Sequence, residues 1–391
     1  MSNKDKMGKA GKAGKTVRLL HLHSTFDHGG KEARCVQLIN AMGGHVHHDI
    51  VSAIPGAMGA KKAIGAKARV RFPEKFPSLE GKPAITRYRY LAIAMRPYDL
   101  ILTYNWGSMD AVMAHSIFGR YEKLAPLIHH EDGFNSDEQH RLKRRRNWFR
   151  TVGLSQSSAL VVPSQRLAHI AQTAWHRPKG QIQLIPNGID LAAYTKKPQK
   201  GAIPGFKPKA DEIVVGTIAG LRPVKNIPRL VELVANCPGN IRLVIIGEGP
   251  EKDAIAAKAE AMGIKDKLVM PGFLADPARY VGLFDIFALT SDSEQFPISL
   301  MEAMAAGLPV IASDVGDVAN MVSSLNAPYV AAPPDMAGLQ NALDTLVGSA
   351  DLRAKLGAAN LQKAQNDFDE KDMIARYAAL YGGVSGKDVM R

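Results

Sequence analysis

Several things are scarce in this chain, and each shortage narrows what it can do. Only two cysteines occur in 391 residues, Cys35 and Cys237, far apart in the sequence. They read as reduced structural thiols of a cytoplasmic protein, and no zinc-ligand spacing accompanies them. No apolar run reaches the roughly 18 to 20 residues needed to cross a bilayer. The N-terminal MSNKDKMGKAGKAGKT is basic but has no apolar stretch behind it, so neither a secreted precursor nor a membrane-spanning protein is expected. Aromatic residues make up 6% of the chain and form no RNP-like motif, which argues against a nucleic-acid-binding protein. No short-period repeat, no heptad array and no Asp-x-Asp motif in a suitable loop is found.

What is present is an ordinary globular composition, 46% hydrophobic and 22% charged, with material for two domains. The formal charge of +13 and a pI near 9.6 call for an anionic partner: phosphate, nucleic acid or a lipid surface. Residues 1–16 carry Lys, Gly and Ala without periodicity and read as a disordered basic tail outside the fold.

From Val17 the pattern is regular. VRLLHLH reads as a buried strand, Gly29 and Gly30 as a turn, and EARCVQLINAM as a helix. DIVSAI, LILTYN, APLIHH and SALVVPS repeat the strand pattern, with helical stretches between several of them. This alternation predicts a parallel, doubly wound sheet over 17–190. The Lys-, Pro- and Gly-rich stretch in 191–210 reads as a linker. A second alternating series begins at EIVVGTIAG and fills 211–370, and 371–391 is expected to be a helix returning toward the first domain. Two facing Rossmann-like domains place a ligand cleft between them, beyond the carboxyl ends of the strands.

Three segments of the second series carry candidate chemistry. GLRPVKN joins a strand end to a helix start and offers Arg222 and Lys225, a planar fork and a point charge suited to a diphosphate. IIGEGP brings Gly247 to a strand end where backbone can approach a ligand closely, although it lacks the full G-x-G-x-x-G pattern. In SDSEQFPISLMEAMAAG a helix starting near Pro297 leaves Glu294 on the loop and Glu302 about a turn inside. Backbone donors between Phe296 and Leu300, through Pro297, Ile298 and Ser299, then face an anionic group. Glu302 sits between Met301 and Ala303 in an apolar helix and needs a partner.

Taken together, SDSEQFPISLMEAMAAGLPVIASDVGD resembles the Glu-x7-Glu signature of the retaining glycosyltransferases of family 4. IPNGID, GLRPVKN, IIGEGP, VMPGF and the glycine pair before Glu32 follow in the family's order, so the resemblance covers most of the chain from Val17. It implies the GT-B architecture and a nucleoside-diphosphate sugar as co-substrate, with no further cofactor and no metal. Arg222 and Lys225 would meet the diphosphate, the backbone around Gly30 would close over it, Glu302 would bind the ribose, and Glu294 would stand near the transferred sugar. Gly272 and Phe273 would lie near the base. Arg222 precedes Lys225 by three positions, where family members often have five. The family's strand-end histidine is matched best by His130, with Asp132 as the competitor in register.

The acceptor side is read from charge. EQHRLKRRRNWFR, 138–150, places six basic residues beside Trp148 and Phe149, suited to a phosphorylated acceptor or an anionic membrane face. The expectation is a hexosyltransferase using a UDP-sugar first and a GDP-sugar second. Its acceptor would be a lipid-linked or cell-envelope glycan at the inner face of the cytoplasmic membrane. A sugar-nucleotide epimerase of GT-B-like fold and a basic nucleic-acid-binding protein are the rival readings.

Overall fold

The computed structural model describes residues 16–27, 29–134, 136–138, 141–199, 201–207 and 209–390. All of the expected basic tail except Thr16 lies outside them. The first domain holds β1 (Val17–His23), α1 (Gly30–Met42), β2 (Val46–Ser52), β3 (Arg69–Arg71), α2 (Ile85–Met95), β4 (Leu100–Tyr104) and α3 (Met109–Phe118). It continues with β5 (Leu127–His130), α4 (Arg144–Leu154), β6 (Ala159–Val162), α5 (Gln165–Thr173), β7 (Ile182–Leu184) and the short α6 (Leu191–Tyr194). Its seven strands lie in the order β3-β2-β1-β4-β5-β6-β7, and every pairing is parallel.

The second domain contains β8 (Ile213–Ile218), α7 (Ile227–Asn236), β9 (Ile241–Ile246), α8 (Lys252–Ala261), β10 (Leu268–Gly272), β11 (Ile286–Leu289) and α9 (Ile298–Ala305). After these come β12 (Val310–Ser313), α10 (Val318–Met321), β13 (Val330–Ala331), α11 (Met336–Gly348), α12 (Ala350–Asp367) and α13 (Glu370–Ser385). Six parallel strands run β10-β9-β8-β11-β12-β13.

Both sheets are doubly wound, as the alternating pattern predicts, and both reverse strand order beside their first strand. Strands covered on two faces are buried nearly throughout and mostly apolar, as in β1, β4, β5, β6, β11 and β12, with the buried histidines of β1 and β5 toward the strands' carboxyl ends. In the first domain α2, α3, α4 and α5 cover one face of the sheet, while α1 and α13 cover the other.

The chain crosses between the domains twice. The stretch read as a linker is partly packed: the apolar side chains of Ile203 and Phe206 are buried in the core of the second domain. On the return, Ile189 N–H donates to Phe368 and Glu370 N–H donates to Ile189, at 3.0 and 3.1 Å. α13 then buries Met373, Tyr377 and Tyr381 in the first domain's core. A further contact ties the domains together, where the Asp317 carboxylate accepts the backbone N–H groups of Gln165 and Arg166 at the start of α5. Among the described residues no helix is long and apolar enough to cross a membrane.

Candidate active site

The loops at the carboxyl ends of β1, β4, β5, β8 and β11 face one another across the two domains and enclose a cleft of about 410 Å³. The first domain contributes Gly30, Lys31, Asn105, Asp132, Gly133 and Phe134. The second contributes Arg222, Val224, Lys225 and the run from Ser293 to Ser299.

Backbone geometry builds the cationic side. Gly247 and Gly249 have φ of +146° and +157°, and a Cβ there would fall 1.8 Å from Ala219 O and 2.3 Å from Leu221 O. The loop after β8 can therefore lie directly on the loop after β9, with Leu221 N–H donating to Glu248 O at 2.8 Å. So Gly247 serves the cleft through the Arg222 loop that it lets approach, and does not line the cleft itself. The same loop is joined to the one after β11. Asp292 N–H donates to Val224 O at 2.8 Å, and Asn226, in the left-handed region, donates through its side chain to Asp292 at 3.1 Å. These bonds hold Lys225 against Glu294, with Nζ to Oε1 at 2.5 Å, while Ser291 donates to the same oxygen at 2.7 Å. Arg222 is exposed at the cleft wall.

α9 begins at Ile298 behind Pro297 and ends at Ala305, and Gly307 just beyond, with φ of +75°, turns the chain away from the helix. Its first N–H groups have no intrahelical partner and give the cleft a positive helix terminus. Pro297 has no N–H, so the donors of the expected run are Phe296, Ile298, Ser299 and Leu300. Of these residues Leu300 is buried in the core, while Phe296, Ile298 and Ser299 reach the cleft. α1 presents its own N-terminus from the opposite domain. A Cβ on Gly30 would stand 3.1 Å from Ile298 Cδ1, and one on Gly133 would stand 3.2 Å from Gln295 Cγ. The two domains approach this closely because both positions are bare. Gly29 caps α1 from just outside the cleft wall, where a Cβ would collide with the Glu32 carboxylate at 2.5 Å.

The strand-end group after β5 departs from the expected one. His130 is fully buried below the cleft. Its Nδ1–H donates to the Thr103 carbonyl at 3.1 Å, and its Nε2 accepts from the Tyr381 hydroxyl at 2.9 Å. Burial, then the nearby Arg34 cation, push its pKa down to about 3, so it is neutral. Asp132, two residues on, lines the cleft. Its carboxylate is held by both Arg34 Nη groups, and Arg34 Nη1 also donates to Asn187 at 3.0 Å. Burial would raise the Asp132 carboxyl, but Arg34 more than offsets this and holds it below the ordinary range. Asn105, at φ +55°, accepts the Asp132 N–H at 2.7 Å.

Glu302 lies one turn inside α9, off the cleft wall. Its partner is the Tyr194 hydroxyl of α6, and burial raises its pKa to about 7 while the Tyr194 bond pulls it down. Gly272 accepts the Gly247 N–H at 3.0 Å, and Phe273 beside it is largely exposed. Neither residue lines the cleft. Lys31, Arg34, Asn105, Gly133, Asn187 and Gln295 also belong to the site or support it; Asn187 and Gln295 fall inside the IPNGID and SDSEQFP stretches and Lys31 and Arg34 flank Glu32 after the glycine pair, whereas Asn105 and Gly133 carry no motif signal beyond following a strand.

Among the described residues, the group of His, Cys, Asp or Glu close enough to share an ion is His21 and His23 of β1 with Cys35 of α1, buried between strand and helix and outside the cleft. Burial pushes the Cys35 thiol up to about 12, and His21 bonds to Tyr104 and His48, so these groups read as core packing. Cys237 is likewise buried and free.

The family descriptions that match are Glycosyltransferase Family 4 over residues 28–193 and Glycosyl transferases group 1 over residues 201–363. The N-acetyl-alpha-D-glucosaminyl L-malate synthase of Bacillus anthracis is 24% identical over 238 residues, 60% of this chain and 62% of that protein. The D-inositol 3-phosphate glycosyltransferase of Jonesia denitrificans is 28% identical over 250 residues, 57% of each. The chain thus spans about three fifths of the length of these relatives. In fold it is similar to Anabaena HepE solved with UDP, at a TM-score of 0.77 and 21% identity, covering 94% of this chain and 100% of that one.

Proposed function

Since the chain belongs to the family 4 glycosyltransferases and has their GT-B architecture, we propose that it moves a sugar, with retention, from a nucleoside-diphosphate sugar to an acceptor hydroxyl. One observation carries the reading: Arg222, Lys225 and the N-termini of α1 and α9 converge from two domains on one cleft beside Glu294. Two cations and two helix termini suit a diphosphate. UDP is the first choice of nucleotide, in keeping with the UDP bound by HepE, and GDP the second.

In the proposed reaction the bond from the anomeric carbon to the diphosphate oxygen breaks as the acceptor oxygen bonds to that carbon on the same face. The acceptor proton passes to the leaving diphosphate. Arg222, Lys225 and the α9 amides stabilise the charge that develops there, the electrostatic work a divalent cation would otherwise supply, so the reaction is proposed to be metal-independent. Glu294, fixed by Lys225 and Ser291, orients the sugar. Asp132 takes the strand-end position near it, with His130 held beneath as support. Glu302 exchanges its Tyr194 bond for ribose hydroxyls. The acceptor is a lipid-linked or cell-envelope glycan reached at the inner face of the cytoplasmic membrane.

The test is to incubate the protein with labelled UDP- and GDP-sugars and an envelope lipid extract. Label should move into the lipid or glycan fraction as the α-anomer from an α-linked donor. Label that stays in the nucleotide pool as an epimer would replace this reading by the epimerase.

A further inference from the structure

The positive charge of 138–150 is partly spent inside the protein. Lys143 and Arg146 pair with Asp137, Arg146 also with Glu138, and the buried Arg150 with Glu131 and Glu138. What α4 shows to solvent is Arg144, Arg145, Trp148 and Val152, at spacings of three and four that form one stripe. Trp148 is 64% exposed.

This stripe does not stand alone. α2 and α3 cover the same face of the first sheet as α4, with α3 between them. α2 exposes Ile85, Tyr90 and Ile93; α3 and the turn after it expose Ile117 and Tyr121, the latter 72% exposed. Among the described residues ten large apolar side chains are exposed, and seven of them fall on these three neighbouring helices and that turn. Over 85–96, 109–123 and 141–154 the sequence has eleven Arg and Lys against two acids, Asp110 and Glu122. Both acids are occupied, Asp110 by Arg87 and Glu122 by Arg96. A cavity of about 600 Å³ opens at the edge of this face between Arg145, Trp148 and Trp106. Trp106 directly follows Asn105 of the cleft wall.

We propose that the exposed face of α2, α3 and α4 docks on an anionic lipid bilayer. Trp and Tyr are the side chains that settle at a headgroup boundary, Ile and Val supply shallow apolar burial, and arginines without carboxylate partners attract anionic lipid. Scattered exposed apolar residues need no explanation, but seven gathered on one basic face form a patch. The surface deepens the acceptor reading above and rests on it for its purpose: a lipid-borne acceptor would reach the cleft past Trp106. Vesicle binding requires neither donor nor acceptor, so the two proposals fail separately.

The experiment is co-sedimentation of the full-length protein with phosphatidylglycerol/phosphatidylcholine vesicles and with phosphatidylcholine alone. Three proteins are compared: wild type, R144Q/R145Q/W148S and Y90S/I93S. Arg146 is left in place because it pairs internally. Binding to the anionic vesicles should weaken with salt. Each variant should need more lipid for half-maximal binding, about tenfold or more for the α4 variant, with unchanged circular dichroism. Because the basic tail is present throughout, equal binding by all three proteins would assign the attachment to the tail and overturn the proposal. So would absence of wild-type binding, a dimer that the variants convert to monomer without vesicle binding, or attachment to RNA only. If the α2 variant alone binds normally, the three-helix face is wrong.

Discussion

Replacing Glu302 with Gln tests the burial argument quantitatively. In the native protein this carboxyl titrates near 7 against an ordinary 4.5, because α9 and its surroundings remove it from water. The unfolded chain therefore loses the Glu302 proton at lower pH than the native one. A proton retained on folding stabilises the fold below about pH 4.5, and that contribution is lost as the pH rises through 7. The interval between 4.5 and 7 corresponds to roughly 3 kcal/mol. Gln cannot ionise, so the E302Q variant should match the wild type near pH 4.5 and exceed it by about 3 kcal/mol at pH 8. For a domain of this size that is roughly 6 to 12 °C in Tm. Scanning calorimetry of both proteins from pH 5 to 8 reads the difference directly, and parallel Tm curves would refute the reasoning. If ribose hydroxyls donate to the ionised carboxylate, nucleotide binding has the opposite slope: affinity should fall up to tenfold per pH unit below 7 in the wild type and stay flat in E302Q.

Three more outcomes follow from the geometry. G30V places methyl groups against Ile298 Cδ1, where even a Cβ stands at 3.1 Å, and should lower kcat/KM by an order of magnitude or more by holding the domains apart, with Tm little changed. R34Q leaves Asp132 with a far weaker partner in a buried setting, which should cost about 3 kcal/mol in thermal or urea unfolding; the conservative R34K should recover only part of this, because one ammonium cannot reproduce the paired bonds. Transfer should continue in excess EDTA, and abolition restored by Mg²⁺ would contradict the assignment of leaving-group stabilisation to Arg222 and Lys225.

The sequence showed most where structure is local. Strand ends, glycine turns and the start of α9 are short-range features, so the two doubly wound sheets and the residues Arg222, Lys225, Glu294 and Phe296 to Ser299 were legible as segments. Partners brought together by the fold were not. Arg34 meets Asp132 across 98 positions and Asn187 across 153, and no periodicity records such a contact. Glu302 visibly needed a partner, but Tyr194 sits in the segment read as a linker. The strand-end histidine fits its motif, yet β5 directs His130 into the core and Asp132 toward the cleft. Charge counting overstated the basic segment, because Glu131 and Glu138 bind Arg150 inside the protein.

The central claim is that the cleft holds a nucleoside diphosphate through Lys225 and Arg222. Calorimetric titration of UDP, GDP and ADP into the wild type, K225A and R222A tests it most directly. Saturable binding of one of the three to the wild type, weakened about tenfold or more in each variant as expected for a lost charged contact to phosphate, is the predicted result. A folded wild-type protein that binds none of them, or variants that bind as tightly as it does, would contradict the account.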